Sequence, residues 1–219
     1  MNNILAIDTS TKNAMICIIR DNKLVSSRKW ITKNNHSIEL FNNLRDCCSE
    51  SSINIDEINS IYVAVGPGGF SSIRVGISFA LGLAKPKEIS VLGIPTFEIE
   101  FEKYRKFENI DKIVALIPAG LNAYCWKDCK SGDFSDPDGI IQIHEIVSTF
   151  NEDTFFIGED LKNIFENLPS FKYSDQSSRN PENFLKLIKR IIKDKKNADY
   201  SNVYPIYSRS PNINIKNER

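Results

Sequence analysis

The first third of the chain alternates short apolar runs with polar breaks. Residues 3–7, apolar after Asn3, and the continuous apolar run 14–19, with residues 23–30 partly alternating, predict three strands. The polar stretch 8–13 separates the first two, and Asp21-Asn22 has the composition of a two-residue hairpin turn. Ser37 is placed to cap a helix running to about Cys48, with Ile38, Phe41, Leu44 and Cys48 on one stripe. Residues 60–65 predict a short buried strand. Ser71 or Ser72 caps a second helix that ends near Ala84, where Pro86 blocks its continuation. Residues 89–94, closed by Pro95, predict a fifth strand. The order β-β-β-α-β-α-β is a complete α/β lobe.

The second half carries weaker signals. Residues 112–117, 123–127, 140–143 and 154–157 read as strands, and 159–168 as a helix. Residues 181–193 predict a helix with Phe184, Leu187, Ile188 and Ile191 facing inward. The polar segment 127–139 reads as a loop, and the lobe boundary is expected between residues 96 and 111.

The helix from residue 72 is unusual. Ile73, Ile77, Leu81 and Ala84 form a core stripe, and a second row holds the small residues Gly76, Ala80 and Ala84. Residues 75–84 carry no charge. A helix apolar all round must be covered on all sides, either by the helix 37–48 or by a partner chain that meets both helices.

Before that helix lies VAVGPGGFSSIR, a strand feeding a glycine-rich turn, which raises the question of a phosphate site. A Walker-type loop needs G-x-x-x-x-G-K-[ST], but Ser71 replaces the second glycine and Ser72 the lysine. The dinucleotide pattern fits Gly66 and Gly68 and fails at Ser71. Pro67 removes an amide, so what remains is the weak anion preference of any helix start. The turn is therefore expected to be steric. Arg74, early in the helix, faces an unfavourable dipole of roughly 0.3–1 kcal/mol. Either the side chain reaches away to solvent, or a partner carboxylate, such as Asp8 at the end of the first strand, offsets the penalty and pins the turn.

Composition and charge narrow the class. The 219 residues are 41% hydrophobic and 26% charged, ordinary for a globular protein with a real core. No apolar run approaches the roughly 20 residues of a membrane span. The opening MNNILAIDTSTK lacks a basic region and an apolar core, so no signal peptide is expected. The five cysteines lack paired spacing, which disfavours a disulfide framework or a zinc site and points to a reducing cytoplasm. Net charge is zero, yet residues 181–219 hold nine Lys or Arg against four Asp or Glu. That basic stretch is a solvated helix face or a surface for tRNA or membrane.

The stretches AIDTST, His36 before the first helix, VGPGGFSSIRVGISFALGLA and VLGIPTFE together resemble the TsaB family. Its pattern is similar to GPGSFTGLRIG, against which this chain has Gly69 and Ser72 as its larger departures. The ending YPIYSRS is also similar, with Ser208 in place of a leucine. Beyond residue 98 the likeness is thin. PAGLNAYCW lacks the acid, arginine and glutamate of the family's Asp-Ala-Arg-Met-Gly-Glu-Val-Tyr.

The resemblance implies a two-lobed α/β fold of the actin and sugar-kinase type, ribonuclease H-like, with a mixed sheet flanked by helices. Residues 1–98 would form the lobe that docks and 99–219 a smaller, reduced lobe. It implies a non-catalytic scaffold subunit of the machinery for tRNA threonylcarbamoyladenosine, docking on the catalytic subunit TsaD. Ile38, Phe41, Leu44, Arg74, Gly76, Phe79, Ala80 and Leu83 would form the contact, and a charge at Ala80 would break the complex while the monomer stays folded. Further implied partners are the ATPase TsaE, tRNA through the assembled complex, and a second copy when the chain is alone.

No cofactor or metal is expected. TsaD's metal motif is H-x-x-x-H, whereas His36 and His144 lie far apart and neither has an evident nucleophile partner; His36 reads as a capping or packing residue. The rival reading is an ATP-using enzyme in which Asp8 orients magnesium or water and the 66–71 loop, with Gly66, Gly68 and Ser71, touches phosphates.

Overall fold

The computed structural model of the chain describes residues 2–33, 35–120 and 122–207. The first sheet holds β1 (Asn3–Asp8), β2 (Asn13–Arg20), β3 (Lys23–Ile31), β4 (Ser60–Gly66) and β5 (Ser90–Pro95), in the order β3-β2-β1-β4-β5. The first three strands form an antiparallel meander, and β1, β4 and β5 are parallel. Asp21 and Asn22 both take positive φ, 49° and 64°, the conformation of the tight hairpin turn expected from the sequence.

Helices α1 (His36–Ser51) and α2 (Phe70–Ala84) cover one face of this sheet, packing on Leu5, Ile7, Ile16 and Ile18. The opposite face, with Ile4, Ala6, Met15 and Cys17, is covered by Phe184, Leu187, Ile188 and Ile191 of α6 (Pro181–Lys193). Burial on both faces explains why β1 and β2 read as unbroken apolar runs.

The second sheet contains β6 (Ile113–Pro118), β7 (Ala123–Asp128), β8 (Gly139–Gln142), β9 (Phe155–Gly158) and β10 (Lys172–Tyr173), in the order β10-β9-β6-β7-β8. Three antiparallel strands followed by two parallel ones repeat the first sheet's plan. The strand set of the second lobe is therefore complete. Its reduction falls on the helices, since α4 (Ile146–Thr149) and α5 (Leu161–Phe165) are one turn each. The helix expected over 159–168 stops early, ahead of Leu168-Pro169, where proline disfavours helical geometry in the residue before it. Between the lobes lies α3 (Thr96–Phe101), whose Phe97 and Phe101 join the second core while Ile99 joins the first.

Other expectations are corrected by the packing. α6, from the C-terminal part of the chain, returns to cover the first sheet. The α1 core face is Leu40, Leu44 and Cys47, whereas Ile38 and Phe41 are exposed. On α2 the core face is Ile73, Gly76, Ile77, Ala80 and Ala84, and Leu81 is exposed. Spacing by four overshoots a turn of 3.6 residues by about 40°, so Leu81 has rotated off the face that Ile73 begins.

The caps also differ. Asn35 and Gly69 precede the two helices without a side-chain capping bond, and neither Ser37 nor Ser71 acts as cap. The start of α6 is as expected, with Asn180 accepting from the Asn183 amide at 2.9 Å and Pro181 in the first turn.

Ala80 is 0% exposed within its own lobe. Ala80→Glu is therefore expected to destabilise the chain by about 3 kcal/mol or more, through an unpaired buried carboxylate. Denaturant unfolding measures this, and a midpoint unchanged from wild type would contradict the packing.

Candidate functional site

The glycine-rich turn is filled by the chain itself. The Gly69 amide donates to the Ser10 carbonyl at 2.7 Å, so it is not free for an anion. A Cβ on Gly68 would run into that same carbonyl, and one on Gly66, whose φ is 110°, would meet the carbonyl of Ile206. The glycines permit close backbone approach, as expected, and Ser71 is an exposed residue of α2.

Asp8 is buried at the end of β1, but its partner is not Arg74. Arg179 reaches it from 171 residues away, Nε donating to Asp8 Oδ2 at 2.8 Å. The other Asp8 oxygen accepts from the Ser10 amide at 2.9 Å and the Ser10 hydroxyl at 2.6 Å. Arg179 Nη1 pairs with Glu159, just past β9, and donates to Thr11 Oγ1 at 3.0 Å. Its Nη2 donates to the Asn13 carbonyl at 3.1 Å. Glu159 also accepts from Thr11 at 2.8 Å and from Asn13 at 2.9 Å. One guanidinium thus joins the 8–13 turn of the first lobe to the end of β9 in the second. Burial opposes its charge, but Asp8 and Glu159 outweigh that cost and push the Arg179 pKa up.

Beside this cluster Glu100 is fully buried and accepts from the Ser178 amide and the Ser177 hydroxyl, each at 2.6 Å. Burial, ahead of these hydrogen bonds, pushes its pKa up.

Sequence reasoning singled out neither Arg179 nor Glu159. A lone arginine in the polar stretch SSRNP and an acid just after the glycine that ends a strand were the available signs.

The second feature is the outer surface of α1 and α2. Ile38 is 57% exposed, Phe41 58% and Leu81 45%. Phe79 and Leu83 are half-buried, and Arg74 is exposed. Three of the expected contact residues, Leu44, Gly76 and Ala80, lie inside the lobe instead. A groove of about 540 Å³, lined by Phe41, Leu44, Cys48, Ile53 and Ile55 among others, continues the surface along the C-terminal half of α1.

His36 is a packing residue whose Nε2 lies 2.8 Å from Ser72 Oγ, tying the two helix starts together. This is the serine contact that sequence separation concealed. Burial lowers the His36 pKa, against the pull of Glu39. His144 is exposed on a 3-10 turn, and among the described residues no group of three or more His, Cys, Asp or Glu side chains could hold a metal. Cys17, Cys47, Cys48 and Cys129 are free thiols. No described helix is long and apolar enough to cross a membrane.

Residues 28–135 match the family model "TsaD: tRNA N6-adenosine threonylcarbamoyltransferase". The chain is 26% identical over 125 residues to the tRNA threonylcarbamoyladenosine biosynthesis protein TsaB of Escherichia coli (strain K12), covering 57% of this chain and 54% of that protein. The TsaB of Buchnera aphidicola subsp. Baizongia pistaciae is 27% identical over 124 residues, covering 56% of each. The chain thus spans about half the length of the curated relatives it matches. Among solved structures, YeaZ from Pseudomonas aeruginosa superposes with a TM-score of 0.69 at 18% identity, covering 94% of this chain and 100% of that one. That likeness shows the shared two-lobed fold.

Two outcomes follow from the buried cluster. Arg179→Ala strands two carboxylates and is expected to cost about 3–5 kcal/mol, with Arg179→Met no milder while Asp8 and Glu159 remain; urea unfolding reads both, and a loss under 1 kcal/mol contradicts the pairing. For Glu100, the folded chain holds a proton that the unfolded chain releases above its ordinary range. Stability from this group therefore falls as pH rises from about 4.5 toward the raised folded value. Glu100→Gln removes that slope, and identical pH profiles for the two proteins would contradict it.

Proposed function

We propose that this chain, a member of the TsaB/YeaZ family with the actin-like fold, takes part in the biosynthesis of tRNA threonylcarbamoyladenosine as a non-catalytic scaffold. It docks through the outer surface of α1 and α2 on a TsaD-type catalytic subunit and holds that subunit in its active shape. The observation that carries this reading is the exposed set Ile38, Phe41 and Leu81 on two neighbouring helices whose inner faces are already covered. Apolar surface displayed beside a closed core is the usual mark of a protein interface.

The filled cleft supports the same reading. In a nucleotide-using relative of this fold, the turn after the first strand and the acid at its end would face phosphate and magnesium. Here Asp8 is bound to Arg179 and the Gly69 amide to Ser10. Following the family resemblance, a TsaE-type ATPase and tRNA join through the assembled complex in the cytoplasm. When the chain is alone, the same face closes on a second copy.

Ile38→Glu and Phe41→Glu lie on exposed positions, so each is expected to leave stability within about 0.5 kcal/mol of wild type. Either change is expected to abolish co-purification with the TsaD-type subunit. A complex that survives the double substitution means that the docking face is wrong.

A further inference from the structure

Arg74 sits early in α2, where the helix dipole disfavours a cation, and no carboxylate among the described residues pairs with it. Its guanidinium lies instead over the Phe70 ring, 3.7 Å from the centroid. Its Nε donates to the Tyr207 hydroxyl at 2.6 Å. Tyr207 in turn stacks on Phe70, with ring centroids 4.8 Å apart.

Tyr207 is delivered by the segment 202–207, which crosses the first lobe as a strap. The Ile206 amide donates to the Val65 carbonyl at 2.7 Å. Glycines 66 and 93 clear the way, since a Cβ at either would run into the carbonyl of Ile206 or Asn202. Ser208, Arg209 and Ser210, the end of the YPIYSRS stretch, lie outside the described residues.

Stacking and the Nε bond fix the plane of the guanidinium, while neither Nη takes part in a hydrogen bond among the described residues. The position is exposed and shares the outer stripe of α2 with Ser78, Leu81 and Gly82. A Cβ on Gly82 would meet nothing within 4 Å, so a partner backbone can come close there.

We propose that Arg74 is the charged anchor of the docking face, preset by Phe70 and Tyr207 to take a carboxylate of a partner polypeptide through both Nη groups. The proposal rests on the docking reading above and adds the chemistry that the partner must present. A fork of parallel donors matches a carboxylate, and holding it in place beforehand removes the ordering cost of a free arginine. The surroundings select a protein over a nucleic acid. Arg74 is the sole cation of α2, and its neighbours on the stripe are small or apolar.

Calorimetric titration of the full chain with the TsaD-type subunit tests this, with Phe41→Glu as the control for the face. Arg74→Ala is expected to weaken binding at least about thirty-fold, the size of a hot-spot loss. Arg74→Lys should lose most of the same affinity, because an ammonium neither forks nor stacks in this way. Tyr207→Phe keeps the stack but frees the guanidinium, and is expected to weaken binding several-fold. All three should melt with the wild type.

Wild-type affinity in Arg74→Ala, with Phe41→Glu still inactive, overturns the anchor and leaves the docking face standing. Absence of binding by the wild type overturns the docking reading, and the anchor with it. A large drop in melting temperature of Arg74→Ala assigns the stack to folding and overturns the anchor. So does a loss confined to self-association, which would make a second copy the occupant.

Discussion

The structure turns on one buried guanidinium. Arg179 bonds Asp8, Thr11 and Asn13 on one lobe and Glu159 on the other, and it is 2% exposed. A buried ion pair contributes little net stability, because desolvating the charges consumes most of their attraction. Its effect is geometric. A planar donor with two carboxylates at set positions admits few arrangements of the lobes, and any opening of the cleft would strand two acids. At the end of β1, Asp8 is held by Arg179 and Ser10 together. In this way one side chain ties the 8–13 turn to the end of β9.

The face proposed for docking lies on the outer side of the first lobe. The first sheet is covered on both faces, by α1 and α2 on one and by α6 on the other. α6 keeps its outer face polar, and its Arg190 is engaged by Glu98 and Glu102. α1 and α2 do not follow that rule. Their outer residues include Ile38, Phe41 and Leu81, with no core left for them to join. Small residues at Gly76 and Ala80 let α2 sit close to its own sheet beside Ile73 and Ile77, while Leu81 is turned outward.

Much of this was legible locally. The Asp21-Asn22 turn, the limits of α6 and the strands of the first lobe follow from short-range pattern, because neighbouring residues determine them. The face that each helix buries was not. Repeats of four drift around a helix, so Ile38 and Leu81 look like core partners of Leu44 and Ile73 while lying on the outside. Ala80 was assigned to the contact for its small size, which serves internal packing instead. Pairings between distant segments were hidden as well. Nothing near Asp8 announces Arg179, and nothing near His36 announces Ser72, since the fold alone brings them together. Arg74 was legible as an anomaly, but its partner was an aromatic stack rather than Asp8.

The central claim is that this chain meets a polypeptide on its two outer helices and keeps its own cleft shut. Amide hydrogen exchange of the chain, alone, with ATP and magnesium, and with the TsaD-type subunit, tests it most directly. The account predicts slower exchange over residues 36–48 and 70–83 on adding the subunit, and no change over 8–13, 158–160 and 177–179 on adding nucleotide. Protection of those cleft segments by nucleotide, with none on the two helices when the subunit is added, would contradict it.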